Sequence, residues 1–258
     1  MKFVFDLDGT ICFKGQPISE KILAALDRLM EEGHEVIFAS ARPIRDMLPV
    51  INSRFHHHTM IGGNGSLISK GGEIIYSHAF SDAELDTIMH LIEELEATYL
   101  IDGEWDYAYT GSEHHPILNN VDPEKLANLV TVDRLSAIVK ILFLSSNNDE
   151  RLIRELQELG VFVNIHSNEN IIDISPKGIN KWSAMMNLGI QQGEYIAFGN
   201  DANDIFMFKH AFHTVMVGYH AQLAPYAKEE IKLEGDYEQK IVNKLKELSQ
   251  KHSMKTCF

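Results

Sequence analysis

Short apolar runs, each closing on a polar cluster, set the rhythm of the first third of the chain. Phe3-Val4-Phe5, Val36-Ile37-Phe38-Ala39 and Met60-Ile61 are continuous rather than alternating, which is the pattern of parallel strands covered on both faces. Between the first two, Ile22, Ala25, Leu26, Leu29 and Met30 recur at the helical period, with Ser19 placed to cap the start and Gly33 to end it. Pro43 suits the first turn of a second helix that turns Met47, Leu48, Val50 and Ile51 inward. Gly62-Gly63-Asn64-Gly65 opens a loop, and two strands about Lys70-Gly71-Gly72-Glu73 are predicted to form a hairpin.

The rhythm changes near residue 80. Ser81-Asp82-Ala83-Glu84 is a capping-box pattern that starts a helix to about residue 97. Strands are predicted at 99–102, 105–109, 138–144, 161–166 and 171–174, with a short helix after Pro123 and a longer one from 148 to 159, stopped by Gly160. A stretch with its own sheet and helices reads as an inserted domain, residues 81–177. After Pro176 the first pattern returns: a helix over 178–188, the apolar strand Tyr195-Ile196-Ala197-Phe198-Gly199, a helix about Phe206, a strand at 214–217 and a final helix over 237–248. Residues 1–80 and 178–258 then make up one core domain.

Polar clusters at the strand ends carry the chemistry. Asp6 and Asp8 are two apart at the carboxyl end of the first strand and can face the same side. Ligands gather at that end of an open α/β sheet, where Gly9 and Thr10 can bring backbone N–H groups and a hydroxyl to an anion. The two carboxylates can hold a hard cation, and one can act as a nucleophile with no base to activate it. A solvated turn after a strand uses the same residue types. Three further clusters weigh against that reading: Ser40-Ala41-Arg42, Lys181, and Gly199-Asn200-Asp201-Ala202-Asn203-Asp204. Together they supply carboxylates, a hydroxyl, a fixed cation and more oxygen ligands, the inventory phosphoryl transfer requires.

Composition narrows the field. A formal net charge of -14 over 258 residues argues against a nucleic-acid partner, which clustered Lys and Arg would recognise. An acidic enzyme that handles phosphate needs local help from a metal and a few placed cations. The two cysteines, Cys12 and Cys257, give no disulfide framework and point to a reducing compartment, with the cytoplasm expected. No charged leader with a long apolar stretch and no 18-residue apolar run is present, so neither export nor a membrane span is expected. His56-His57-His58 are consecutive and cannot converge on one metal from regular structure. His114-His115 lie in the inserted section within possible reach of a substrate, and Trp105, Tyr107 and Tyr109 alternate as one packed strand face. Lys177, four residues before Lys181, reads as a solvated helix start.

In this order the four clusters resemble those of the haloacid dehalogenase superfamily, in particular its Cof-like sugar-phosphate phosphatase branch with a large α/β cap. Asp6-Leu7-Asp8-Gly9-Thr10 matches the first motif in full, Ser40-Ala41-Arg42-Pro43 the second, Lys181 the third and Gly199 to Asp204 the fourth. The resemblance implies a Rossmann-like doubly wound parallel sheet core with an inserted α/β cap domain. It implies that Asp6 is the nucleophile and that Asp8 protonates the leaving oxygen and then activates water. Mg²⁺ would be held by Asp6, the Asp8 carbonyl and the fourth motif, Ser40 would bind a phosphoryl oxygen, and Lys181 would offset charge. Gly9, Thr10, Ala41, Arg42, Asn64 and Asn203 become the expected phosphate and substrate contacts.

The chain departs from the family pattern in three places. Ala41 stands where Gly is usual, Trp182 where a small residue is usual, and Asn200 where the fourth motif usually has Asp. Asn200 is then the expected direct metal ligand, with Asp204 acting through water or from behind the direct ligands, and Asp201 is the alternative. The implied activity is hydrolysis of a small phosphorylated metabolite: a sugar phosphate, a nucleotide or a cofactor phosphate. A phosphomutase using the same intermediate, or a catalytically weak phosphate-binding regulatory protein, are the competing readings.

Overall fold

The computed structural model describes residues 1–166 and 170–252, so Cys257 lies outside the described residues. Its strands sort into two sheets. Before the insertion come β1 (Lys2–Phe5), β2 (Glu35–Ala39), β3 (Thr59–Gly62), β4 (Leu67–Lys70) and β5 (Glu73–Ser77). The insertion carries β6 (Thr98–Asp102), β7 (Tyr107–Tyr109), β8 (Lys140–Ser145), β9 (Phe162–His166) and β10 (Ile171–Ser175), and β11 (Tyr195–Gly199), β12 (His213–Val217) and β13 (Glu229–Ile231) follow it. The larger sheet has the order β13-β12-β11-β1-β2-β3-β4-β5 and the smaller β7-β6-β8-β10-β9. From β13 to β3 the larger sheet is parallel, and β4 and β5 add an antiparallel edge.

Both faces of the parallel sheet are covered, which is why its strands read as unbroken apolar runs. Phe3 and Phe5 point to one face, where Ile22 and Leu26 of α1 (Glu20–Glu31) and Ile241 and Leu245 of the last helix pack on them. Val4 points to the other, beneath Trp182 and Met207. The fold is therefore a doubly wound α/β core with an inserted second unit. Ser19 caps α1 by accepting from the Ile22 N–H, an interaction contributing about 1 kcal/mol.

In the insertion, α3 (Asp82–Glu94) and α4 (Asp149–Leu159) cover one face of the antiparallel sheet through Ile88, Leu91, Leu152 and Leu156. The predicted capping box at Ser81 forms with Glu84, and Gly160 ends α4 in the left-handed conformation. The opposite face of this sheet carries Leu100, Leu142 and Ile171 beside Asp102, Lys140 and Asp173.

Several elements differ from the sequence reading. The helix expected after Pro123 is absent: the Asp122 carboxylate accepts from the Leu126 and Ala127 N–H groups and holds the segment as turns. The helix after Pro43 is one turn long, α2 (Ile44–Met47), although Met47, Val50 and Ile51 are buried as expected. The strand expected from Trp105 starts at Tyr107, while α5 (Lys181–Asn187) starts at Lys181 rather than near 178. β13 had no apolar run to announce it. Two helices complete the core, α6 (Ile205–His210) and α7 (Tyr237–His252). Among the described residues, no helix is long and apolar enough to cross a membrane.

Candidate active site

β1 and β11 are adjacent, parallel and in register, so Asp6 and the loop after Gly199 emerge side by side at the carboxyl edge of the sheet. Asp6 is 4% exposed. One of its carboxylate oxygens accepts from the Thr10 hydroxyl at 2.8 Å, and the other accepts from Lys181 Nζ at 2.6 Å. Lys181 is fully buried at the first turn of α5 and also donates to Asp204 at 2.6 Å. Burial alone would lower this ammonium, but Asp204 and Asp6 outweigh it and keep it above the usual lysine range. Burial pushes the Asp6 carboxyl up to about 7 against the opposing pull of Lys181, while Asp204 and Asp8 add to the rise.

Asp204 is buried and fully used. Its second oxygen accepts from the Asn200 and Asp201 N–H groups at 2.9 and 3.2 Å, so it shapes the loop and fixes Lys181. Gly199 makes room for this, because a Cβ there would lie 2.5 Å from Asp204 Oδ2. The Asp204 oxygens are thus committed to protein donors, not turned into the cavity. Asn200 reaches the other way. Its amide lies against Gly9, whose φ of +79° and lack of a Cβ permit the approach. Asp201 accepts from the Ala202 N–H at 2.6 Å and stands 3.3 Å from His220 Nε2.

A cavity of about 390 Å³ lies over these groups, walled by Asp6, Asp8, Ser40, Arg42, Asn200, Asp201 and Asn203. Asn203 Oδ1 is 3.5 Å from Lys181 Nζ, and Ser40 Oγ accepts from the Arg42 N–H at 3.1 Å. Arg42 grips Asp8 through two hydrogen bonds of 2.7 Å each, the bidentate form that suits a carboxylate or a phosphate. The N–H groups of Gly9 and Thr10 are spent inside the turn, on Cys12 O at 2.8 Å and Leu7 O at 3.1 Å, and so differ from the expected anion donors. The Thr10 hydroxyl serves Asp6 instead. Ala41 contributes its carbonyl, which accepts from Lys140 at 2.6 Å.

Asn64 does not line this cavity. It sits at a φ of +60° and donates to Ser175 Oγ at 3.2 Å and Asp173 at 3.3 Å, tying the loop after β3 to the inserted sheet. His56, His57 and His58 diverge as expected: His56 bonds the Leu48 and Ile51 carbonyls and His57 the Gly71 carbonyl. His115 caps a turn by accepting from the Ile117 N–H, and Lys177 is exposed.

The sequence reading missed a second group of charges. Arg45, 1% exposed, bonds Asp46 twice at 2.8 Å, Asp102 at 2.9 Å and the Trp105 carbonyl at 2.7 Å. Lys140 and Asp173 pair at 3.1 Å. The available signal was a charge inside an apolar run, as in Leu100-Ile101-Asp102, Val139-Lys140-Ile141 and Ile172-Asp173-Ile174, where an unpaired ion would not be buried.

A hard cation prefers oxygen ligands and keeps several waters. The cavity offers oxygen donors on Asp6, Asp8, Asn200 and Asp201, and its volume leaves space for water, so the residues fit such an ion. Among the described residues no three His, Cys, Asp or Glu side chains converge as a ready cage, so amide, carbonyl or water oxygens would complete the shell.

A family model described as haloacid dehalogenase-like hydrolase matches residues 3–236. An HMP-PP phosphatase of Citrobacter koseri is 29% identical over 227 residues, covering 83% of this chain and 82% of its own. Among solved structures, a haloacid dehalogenase-like hydrolase from Bacteroides thetaiotaomicron has a TM-score of 0.76 at 20% identity, over 96% of this chain and 98% of that one. TM0651 from Thermotoga maritima has a TM-score of 0.75 at 22% identity, over 95% and 96%. These two show the same fold. The chain belongs to the haloacid dehalogenase-like hydrolases and is a hydrolase.

Proposed function

We propose that this hydrolase is a Mg²⁺-dependent phosphatase of small phosphomonoesters that works through an aspartyl-phosphate on Asp6, with residues 81–177 as the cap over the site. One observation carries the reading: Asp6 lies at the floor of the cavity with one oxygen held by Lys181, the other by Thr10, and Asp8 beside it. The name of the Citrobacter koseri relative supports phosphatase chemistry.

In the first step an Asp6 oxygen bonds to phosphorus as the phosphorus–oxygen ester bond breaks, and the leaving oxygen takes a proton from Asp8. In the second, Asp8 takes a proton from water, which attacks phosphorus and releases inorganic phosphate and free Asp6. Lys181, charged between Asp6 and Asp204, offsets negative charge throughout. Ser40 orients a phosphoryl oxygen, and Arg42 is placed to exchange Asp8 for phosphate. Mg²⁺, held by Asp6, the Asp8 carbonyl and Asn200 or Asp201, would supply charge neutralisation on the transferring group. The composition supports a reducing, cytoplasmic setting.

The test is phosphate release from sugar phosphates, nucleotides, pyridoxal phosphate and an aryl phosphate, with and without Mg²⁺, beside Asp6→Asn. Mg²⁺-dependent release that the substitution abolishes is expected. Normal turnover in the Asp6→Asn enzyme would overturn the nucleophile assignment.

A further inference from the structure

Three consecutive carbonyls, those of Ser40, Ala41 and Arg42, each accept a hydrogen bond. The donors to the outer two belong to the loop after β3: the Asn64 N–H bonds Ser40 O at 3.1 Å, and the Gly63 N–H bonds Arg42 O at 2.8 Å. Gly62 permits the crossing, because a Cβ there would lie 2.9 Å from the Arg42 carbonyl oxygen. The middle carbonyl has a donor of another origin. Ala41 O accepts from Lys140 Nζ at 2.6 Å, and Lys140 opens β8 of the inserted unit, 99 positions along the chain.

That middle bond reaches the Ser40 hydroxyl through a rigid unit. The Ala41 carbonyl and the Arg42 N–H are two sides of one planar peptide, so fixing the direction of the first fixes the second. The Arg42 N–H donates to Ser40 Oγ at 3.1 Å. A hydroxyl oxygen that accepts on one side turns its own hydrogen to another, and Ser40 lines the catalytic cavity with that hydrogen to give. A cation on the carbonyl also polarises the peptide and strengthens its N–H as a donor. The series Lys140 Nζ, Ala41 O, Arg42 N–H, Ser40 Oγ thus runs from the inserted unit to the wall of the catalytic cavity.

Lys140 is itself held in place. It is 5% exposed, and its ammonium pairs with Asp173 Oδ2 at 3.1 Å. The same Asp173 oxygen accepts from the Asn64 side chain at 3.3 Å, and Asn64 is the residue whose N–H bonds Ser40 O. Asp173, Lys140, Ala41, Ser40 and Asn64 therefore close a ring of contacts between the inserted sheet and the segment that carries Ser40 and Arg42. An ammonium taken out of water needs its partners, so Lys140 keeps Ala41 O and Asp173 as long as the two units stay seated.

We infer that Lys140 is a positioning residue of the phosphate site: through the peptide between Ala41 and Arg42 it sets the direction of the Ser40 hydroxyl. The effect on turnover rests on the phosphatase reading, and the effect on phosphate affinity is measured apart from it.

The experiment is a double-mutant cycle of Lys140→Met and Ser40→Ala, read by kcat/KM for acetyl phosphate with Mg²⁺ and by calorimetric titration with inorganic phosphate. Met keeps most of the side-chain length and removes the donor. Lys140→Met should lower kcat/KM about tenfold to a hundredfold and weaken phosphate binding about tenfold, the scale on which a misplaced group costs an enzyme. With Ser40→Ala already present the same change should cost about threefold or less, since no hydroxyl is left to aim. Lys140→Met with Asp173→Asn removes both charges of the pair and replaces the single variant if that one does not fold by circular dichroism. Losses of equal size with and without Ser40→Ala overturn the inference, because a lysine that only stabilised the fold would act independently of Ser40. An unchanged phosphate affinity in a folded variant overturns it as well. A wild-type protein that binds phosphate and hydrolyses no acetyl phosphate overturns the phosphatase reading alone, and the cycle is then read from phosphate affinity. One that does neither overturns both.

Discussion

Replacing Arg45 by Met should loosen the inserted unit from the core far more than a surface substitution would. Arg45 belongs to α2 of the core, yet it bonds Asp102 of β6 at 2.9 Å and the Trp105 carbonyl at 2.7 Å, and its guanidinium lies 4.9 Å from the Tyr107 ring centre. Asp46 and Asp102 are 4% and 1% exposed, so neither can turn to water when the cation is removed. Removing one partner of a buried ion pair costs about 3–5 kcal/mol, against a total stability of about 5–15 kcal/mol.

Protonation would limit that loss. Burial already raises the Asp102 carboxyl, and Arg45 opposes the rise. Without Arg45 the folded state binds a proton on Asp102 more readily than the unfolded chain does, so stability falls as pH rises and the deficit of Arg45→Met shrinks toward acid pH. Urea denaturation of Arg45→Met and wild type at pH 5 and pH 8 measures both quantities. A difference below about 1 kcal/mol at pH 8, the range of an exposed pair, would refute the reasoning. Adding Asp46→Leu and Asp102→Leu to Arg45→Met should recover much of the loss, because apolar replacement of a whole buried ionic group is often neutral or better.

Gly9→Ala should cost about 1–3 kcal/mol and lower turnover at least tenfold, since alanine at a φ of +79° is strained and its methyl would displace Asn200; denaturation and phosphate release check this. Asn200→Asp restores a carboxylate charge at the cavity wall and should lower the Mg²⁺ concentration for half-maximal activity; an unchanged or higher requirement would remove Asn200 from the metal site. His34 is buried against Ser249, and burial lowers its pKa, so the folded state favours the neutral ring. Its contribution is intact above the ordinary histidine value of about 6.5 and is lost as pH falls below it, so His34→Gln should flatten the stability profile between pH 7 and pH 5.

The parallel core was legible because its strands are covered on both faces and its helices carry caps at the expected places. Phe3 to Phe5 and Tyr195 to Gly199 announce themselves as apolar runs, and Ser19, Ser81 and Gly160 mark helix ends by local chemistry. What failed was decided at a distance or by side chains competing for backbone. Asp122 captures two N–H groups and prevents a helix that Pro123 invited, and β13 owes its existence to its neighbour β12. The candidate site was legible as a set of residues and less so as a geometry. Spacing brought Asp6, Ser40, Lys181 and the loop after β11 together on the page, but it gave no sign that Asp204 is consumed by Lys181 and two N–H groups. Arg45 of α2 pairs with Asp102 of β6, and Lys140 pairs with Asp173 on the neighbouring strand of the inserted sheet, and no local pattern records such pairs.

The pairing of β1 with β11 also governs when the site can exist during synthesis. Asp6 leaves the ribosome 175 positions ahead of Lys181, a delay of about 9–35 s at typical elongation rates of roughly 5–20 residues per second. Until then one edge of β1 has no neighbour, and Phe3, Val4 and Phe5 expose an unpaired apolar strand. The inserted sheet, whose strands pair only with one another, is complete at Ser175, just ahead of Lys181. The newborn chain therefore completes the inserted sheet before Lys181 reaches Asp6, and its early hazard is strand-edge association in the half-made core.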